Sequence, residues 1–310
     1  MKIPVLLHNI CLGKLPRTAI IDKTSDFNLM PLTPADLDHY CQRIGFSGSL
    51  RCDLPTLRQL HLLHPQSIPF ENLDAWLGQT VSLEPAAVFA KLVRRKRGGY
   101  CFEHNLLLRL VLETLGFQVR GLAARVVWNL PGGFMLPRTH MLLLIVLDGQ
   151  RLIADVGFGG LTLTAPLELD NATEQQTPHE TFKVVHESDQ NVVLAQVAGS
   201  WQALYRFGLE EQMPPDYAMA NYYVSTHPQS RFVQQLIAGR AAPGMRHALL
   251  DNRYTRHYLG SKSEQQILTG YKVLRSILQT DLGIDLSELP ELDARITSLF
   301  TTPAETPIGD

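Results

Sequence analysis

The chain has 310 residues, 45% hydrophobic and 19% charged, with a formal net charge of −2. This is the composition of a folded, water-soluble protein, and the near balance of charge excludes the bulk basic footprint of a nucleic-acid binder. No run approaches the roughly eighteen apolar residues of a membrane-spanning helix, so no membrane association is expected, and the length calls for two or three domains rather than one core.

Taken in order, residues 1–29 show no sustained period and form an arm expected to pack poorly. Its start, "MKIPVLLHNICLGKL", is interrupted by His8 and Asn9 and lacks a small-residue cleavage site, so it does not read as a signal peptide. Residues 30–117 carry mostly helical signals. Thr33 is placed as an N-cap, with Pro34 at the first helical position and Asp36 in the first turn. "DLPTLRQLHLLHPQ" sets Leu57, Leu60 and Leu63 at helical spacing and should stop before Pro65. "EPAAVFAKLVRRKR" opens on Pro85 and ends in cations at Gly98, and "CFEHNLLLRLVLETLGF" resumes the pattern to Gly116.

From 118 to 207 the runs become short and rich in β-branched and apolar residues: "VRGLAARVVW", "HMLLLIVL", "RLIADVGF", "FKVVHE" and "NVVLAQV", parted by turn pieces such as "PGG" and "DG". They predict an antiparallel sheet or small barrel. Residues 208–310 are mixed, with a helix predicted over "SEQQILTGYKVLRSILQTDLG".

The four cysteines, Cys11, Cys41, Cys52 and Cys101, show no C-x-x-C pair and no zinc-like spacing. Neither a disulfide framework nor a metal site is expected, and a reducing, cytoplasmic location is. Gly98-Gly99 reads as a left-handed cap followed by a change of direction. It leaves Cys101 at a helix N-terminus, where unpaired amides and the helix dipole favour a thiolate. A buried structural cysteine is the competing reading.

A nucleophilic thiol needs a base, and the base needs an orienting group. His104 shares the cysteine's helix, which fixes attack geometry poorly, and His61 and His64 read as a solvated face. His140 opens a strand that turns at Asp148-Gly149, so paired positions sum to 297; His140 then faces Gly157, and Asp155 lies diagonal to it. That diagonal is within reach of a His–Asp hydrogen bond, though a core histidine beside a turn aspartate has the same spacing. Gly157, Gly159 and Gly160 could offer amides to an anion or simply bulge the strand.

Several blocks together resemble the arylamine N-acetyltransferase family: "RGGYCFEHN", "IPFENLD", "RTHMLLL" and "ADVGFGG", in the family's order, with "DLDHYCQRIGF" before them and "NYYVSTHPQSRF" after. "DVGFGGLTLTAP" and "YRFGLEEQ" are similar to the branch described as N-hydroxyarylamine O-acetyltransferases. The resemblance starts near Leu32.

It implies an α+β protein with a cysteine-protease-like core: an N-terminal helical bundle (30–117), a central antiparallel β-barrel (118–207) and a C-terminal α/β lid (208–310). It carries the family's triad onto Cys101, His140 and Asp155, and a charged structural cluster onto Arg43, Glu71 and Arg97. Phe70, Phe158 and Trp128 would wall the acceptor pocket, and Thr139, Gly157, Gly159 and Gly160 would be among the residues that bind substrate or coenzyme. Asn221 and Tyr223 would lie near the coenzyme.

The implied partners are acetyl-CoA, as co-substrate rather than resident cofactor, and an arylamine, hydrazine or N-hydroxyarylamine acceptor; a homodimer is compatible. Three other readings share these residues. One is an amide synthase fed by a carrier-bound acyl chain, another a Cys-His-Asp hydrolase, and the third a binding protein that has lost the chemistry.

Overall fold

A computed structural model describes residues 31–130 and 136–301, so the predicted N-terminal arm lies outside the described residues. The first helix, α1 (Pro34–Ile44), starts as its sequence asks: Thr33 Oγ1 accepts from the Asp36 amide at 3.2 Å, the Asp36 carboxylate accepts from the Thr33 amide at 3.3 Å, and Gly45 ends it at φ 72°. The next, α2 (Leu54–Ser67), does not stop before Pro65 but runs through it. A proline without an N–H removes one bond in the final turn, while Ile68 N still bonds His64 O at 2.8 Å and closes the helix.

Then come β1 (Phe70–Glu71), α3 (Leu73–Trp76) and α4 (Pro85–Phe89). The latter widens into a π-helical turn over Ala90–Arg94, where the sequence predicts one continuous helix. The helix that Cys101 opens is α5 (Cys101–Thr114).

Eight antiparallel strands follow: β2 (Gln118–Val126), β3 (His140–Leu147), β4 (Gln150–Ala154), β5 (Leu167–Glu168), β6 (Gln175–Gln176), β7 (Thr181–Glu187), β8 (Gln190–Val197) and β9 (Ser200–Phe207). They form one sheet in the order β5-β4-β3-β2-β9-β8-β7-β6. The sheet curls nearly shut, because Gln175 on one edge receives the Glu168 amide of the other at 2.7 Å and returns a bond to Glu168 O at 3.0 Å. After His140, β3 is apolar to its end because both faces are covered. Met141, Leu143 and Ile145 pack with Leu107, Leu108 and Val111 of α5, while Leu142 and Leu144 point into the barrel with Phe182, Val193 and Tyr205.

The remainder comprises α6 (Pro214–Thr226), α7 (Arg231–Gln234), β10 (Ile237–Ala242), β11 (Met245–Leu250), β12 (Arg253–Tyr258), β13 (Glu264–Ile267), α8 (Tyr271–Thr280) and α9 (Leu292–Thr301). The helix predicted over 263–283 is a strand in its first part. Glu264–Ile267 pairs with β12, whose edge needs main-chain partners, and the helix begins only after Gly270. The second sheet is ordered β1-β10-β11-β12-β13, so two residues from the helical first third belong to a sheet otherwise built from strands between Ile237 and Ile267. Leu274, Leu278, Leu292 and Ile296 cover it, with Leu236, Ala238 and Leu249 beneath. Among the described residues no helix is long and apolar enough to cross a membrane.

Candidate active site

The corner before Cys101 is shaped by crowding rather than by handedness. The left-handed residue is Lys96, at φ 51°, and neither Gly98 nor Gly99 has a positive φ, contrary to the expected glycine cap. Both glycines are demanded by what lies against them. A Cβ on Gly98 would strike the Pro69 carbonyl, and one on Gly99 would sit 2.6 Å from the Glu103 carboxylate. Their backbone is pinned to β1, with Glu71 N bonded to Gly99 O at 2.7 Å.

Buried charges hold the corner from behind. Lys91 Nζ lies 2.6 Å from Asp74 and 2.7 Å from Glu103; Arg97 lies 2.8 Å from Glu71 and 2.7 Å from Asp74. Glu103 then caps α5 by accepting from the Tyr100 amide at 3.0 Å. Burial pushes the Glu103 carboxyl up to about 7, against the pull of Lys91. Burial would raise Asp74 too, but Lys91 and Arg97 hold it below the usual carboxylate range. Arg43, expected in this cluster, reaches it only through main chain, donating to Arg97 O at 3.5 Å, with Leu92 O at 3.0 Å and Ser67 O at 2.6 Å as its other acceptors.

Cys101 thus emerges buried at the start of α5, its thiol directed at Thr139 O at 3.6 Å. The next residue, His140, begins β3. Its Nε2 donates to Asp155 Oδ2 at 2.7 Å, and its other side-chain partner is the Cys101 thiol. Burial alone would lower the His140 pKa, but the Asp155 charge, that hydrogen bond and Cys101 raise it to about 10. Burial would likewise raise Asp155, yet His140, Asn105 and the Gly157 amide hold it below the usual carboxylate range.

The 297 register holds from Leu147↔Gln150 to Leu143↔Ala154. There the chain leaves the sheet, so Gly157 does not face His140 as predicted. Instead it lies flat on α5: a Cβ on Gly157 would be 2.7 Å from Cys101 Cα, 3.1 Å from Cys101 O and 3.0 Å from Asn105 Nδ2. Backbone atoms cannot yield, so Gly157→Ala is expected to lift the 155–158 segment off α5. The expected result is a cost of about 1–3 kcal/mol in stability and a loss of activity on the order of 10²-fold. Thermal denaturation beside a turnover assay checks both; an active Gly157→Ala protein would mean that the close approach does not matter.

Phe158 meets His140 edge-on at 5.3 Å, and Tyr205 from β9 covers both rings. Phe70 stacks on His104, and a Cβ on Gly159 would touch its ring at 3.4 Å. Gly160 opens onto free space. Trp128 and Thr139 are half-buried, the former against the barrel cluster. Asn221 is committed to the interior, accepting from Tyr100 OH and donating to Val81 O at 2.9 Å. Tyr223 is exposed and stacks on His227.

His61 and His64 are fully buried, not on a solvated face. His64 joins Tyr40 OH at 2.9 Å to His104 at 3.0 Å, and His104 reaches Pro69 O at 3.1 Å. His61 Nε2 accepts from the Asp155 amide at 3.1 Å. Burial lowers all three, His61 and His104 to about 4, so they pack as neutral rings. The helical spacing of His61 and His64 was legible, but which face α5 and the sheet would cover was not. Asn105, Lys91 and Glu103 also escape a motif reading, although Glu103 stands at the capping-box position. Among the described residues no group of three or more His, Cys, Asp or Glu could hold a metal ion.

A family model described as N-acetyltransferase matches residues 53–290. The chain is 42% identical over 273 residues to an arylamine N-acetyltransferase of Mycolicibacterium smegmatis, covering 86% of this chain and 99% of that one. It is 38% identical over 251 residues to an arylamine N-acetyltransferase / N-hydroxyarylamine O-acetyltransferase of Salmonella typhimurium, covering 81% and 87%. Its fold matches that of Mycobacterium marinum arylamine N-acetyltransferase in complex with CoA, with a TM-score of 0.82 at 38% identity over 85% of this chain and 99% of that one.

Proposed function

The chain belongs to the arylamine N-acetyltransferase family, and from that membership we propose a two-step acetyl transfer in which Cys101 is acetylated and then discharged. The enzyme is an acetyl-CoA-dependent arylamine N-acetyltransferase and N-hydroxyarylamine O-acetyltransferase. The observation that supports the route is the buried 2.7 Å bond between His140 and Asp155, with the Cys101 thiol as the imidazole's other partner.

In the first step the Cys101 sulfur, its proton held by His140, attacks the thioester carbonyl of acetyl-CoA. A new C–S bond forms, the old one breaks, and the departing coenzyme thiolate takes the proton from His140 and leaves as the thiol. In the second step the acceptor's nitrogen or oxygen attacks the acetyl-cysteine, its proton passes to His140, and the Cys101 thiolate leaves. Asp155 keeps the imidazole in one tautomer and stabilises its charged form. The Cys101 amide, at the head of α5, is a suitable donor to the tetrahedral oxyanion. Phe70, Phe158 and Trp128 supply apolar walls for an aromatic acceptor. On this reading residues 31–117 bring the thiol, 118–207 bring the histidine and aspartate, and the remainder covers the coenzyme side.

Intact mass after mixing with acetyl-CoA and no acceptor tests the route. One added acetyl group is expected, absent in Cys101→Ala and removed by an arylamine or hydrazine. No adduct in the wild type would refute the acetyl-cysteine and favour direct transfer or a carrier-fed donor.

A further inference from the structure

The geometry points to Asn105 as a positioning residue for this reaction: its carboxamide, one helical turn beyond Cys101, fixes at once the strand that bears His140 and the carboxylate of Asp155. The inference rests on the roles of Cys101, His140 and Asp155 proposed above.

Asn105 is fully buried on α5, four residues after Cys101 and therefore on the same face. Its Nδ2 donates to Met141 O at 2.7 Å, on the residue following His140, and to Asp155 Oδ1 at 3.0 Å. Its Oδ1 accepts from Val156 N at 3.1 Å. Both donors and the acceptor are engaged, and each partner has only one possible sense, so the amide cannot flip.

Asp155 Oδ1 is saturated by Asn105 and by Gly157 N at 2.9 Å, which turns Oδ2 toward His140. One neutral side chain thereby ties together the helix that starts at the thiol, the strand that starts at the imidazole and the loop that carries the carboxylate. Removing its N–H would leave a buried carboxylate short of a donor and free to turn from His140. A residue that merely holds backbone would need only the Met141 and Val156 bonds.

Two variants separate these roles. Asn105→Leu keeps the size and removes all three bonds. Asn105→Asp keeps the shape but places a second carboxyl 3.0 Å from Asp155. When that carboxyl is protonated, its O–H can still donate to Asp155 and its carbonyl can still accept from Val156. When it ionises, two like charges face each other and the clamp is lost.

Around the pair lie His140 from β3, Cys101 from α5, His61 from α2 and Tyr205 from β9. His61 is lowered to about 4, Tyr205 is pushed well above its ordinary range, and both effects are dominated by burial. The wild-type protein, measured in parallel, supplies the pH dependence against which each variant is read.

The readout is the single-turnover rate of Cys101 acetylation by acetyl-CoA, with the coenzyme dissociation constant and the thermal midpoint taken at each pH. Asn105→Leu should lose acetylation rate on the order of 10²-fold, with the dissociation constant within about twofold of wild type. Asn105→Asp should work best at acid pH and lose rate, relative to wild type, as pH rises between about 5 and 8. A folded Asn105→Leu that acetylates at the wild-type rate overturns the inference. So does an Asn105→Asp that follows the wild-type pH dependence, which decides the matter if the leucine variant does not fold. A wild type that takes up no acetyl group refutes the proposed function instead, so the two failures are distinct.

Discussion

Asp155→Asn is expected to fold normally and to acetylate Cys101 about 10³–10⁴ times more slowly than wild type. The reason lies in which atom must face which. Asn105 Nδ2 and Gly157 N both donate to the oxygen at the Oδ1 position, so an asparagine there has to keep its carbonyl toward them. Its NH₂ group is then turned to His140 Nε2, which must accept rather than donate. The imidazole proton is forced onto Nδ1, the nitrogen that faces the thiol, and His140 can no longer take the proton of Cys101. The uncharged imidazole needs no counter-charge, so the thermal midpoint should move by only about 5 °C or less. Rapid-quench mass spectrometry of the acetyl-enzyme, beside a melting curve, measures both. A rate within about tenfold of wild type would remove Asp155 from the mechanism.

The second large effect is on stability. Lys91→Met should destabilise the protein by about 3–5 kcal/mol, because it leaves Glu103 and Asp74 buried without the ammonium 2.7 and 2.6 Å away. The loss should depend on pH. Glu103 already stands at about 7 in the folded protein against an ordinary 4.5, with Lys91 pulling it down. Without that pull it rises further. Between its unfolded and folded values the native state holds a proton that the unfolded chain has released, so stability rises as pH falls through that window. Lys91→Met should therefore lose more at pH about 8 than at pH about 5.5, measured by urea denaturation beside the wild type. Equal losses at both would mean that Glu103 does not carry the missing charge.

The nearness of Cys101, His140 and Asp155 was accessible to sequence reasoning because each follows a local signal: a glycine corner, the first residue of an apolar strand and the residue just past a hairpin whose register the turn fixes only as far as Ala154. What lay beyond reach depends on tertiary cover. Pro65 reads as a stop, yet one missing bond in a last turn is tolerated. His61 and His64 read as a polar stripe, because nothing local shows that the Asp155 loop and α5 will bury them. Gly98 and Gly99 read as a left-handed cap and a change of direction, whereas the crowding that demands them comes from Pro69, beside the Phe70–Gly99 bridge, and from Glu103 in the first turn of α5. The strand at Glu264–Ile267 has helix-forming side chains and is extended only because β12 presents an open edge.

The membership of Phe70–Glu71 in the second sheet has a bearing on motion. Phe70 and Glu71 pair with Gly239 and Ala238, and Asn72 next to them bonds to the main chain of Phe232, Gln235 and Ile237 at 2.7 Å each. The short strand bridged to Gly99 of the thiol's corner is thus stitched into the part of the chain expected to act as a cover. A cover sewn to its vessel cannot swing on a hinge; opening it would tear a ladder that also anchors the charge cluster behind α5. Substrates should accordingly enter and leave by local shifts of exposed side chains and loops. Amide hydrogen exchange of β1 and β10 should then slow or quicken together, at the pace of global unfolding rather than of turnover.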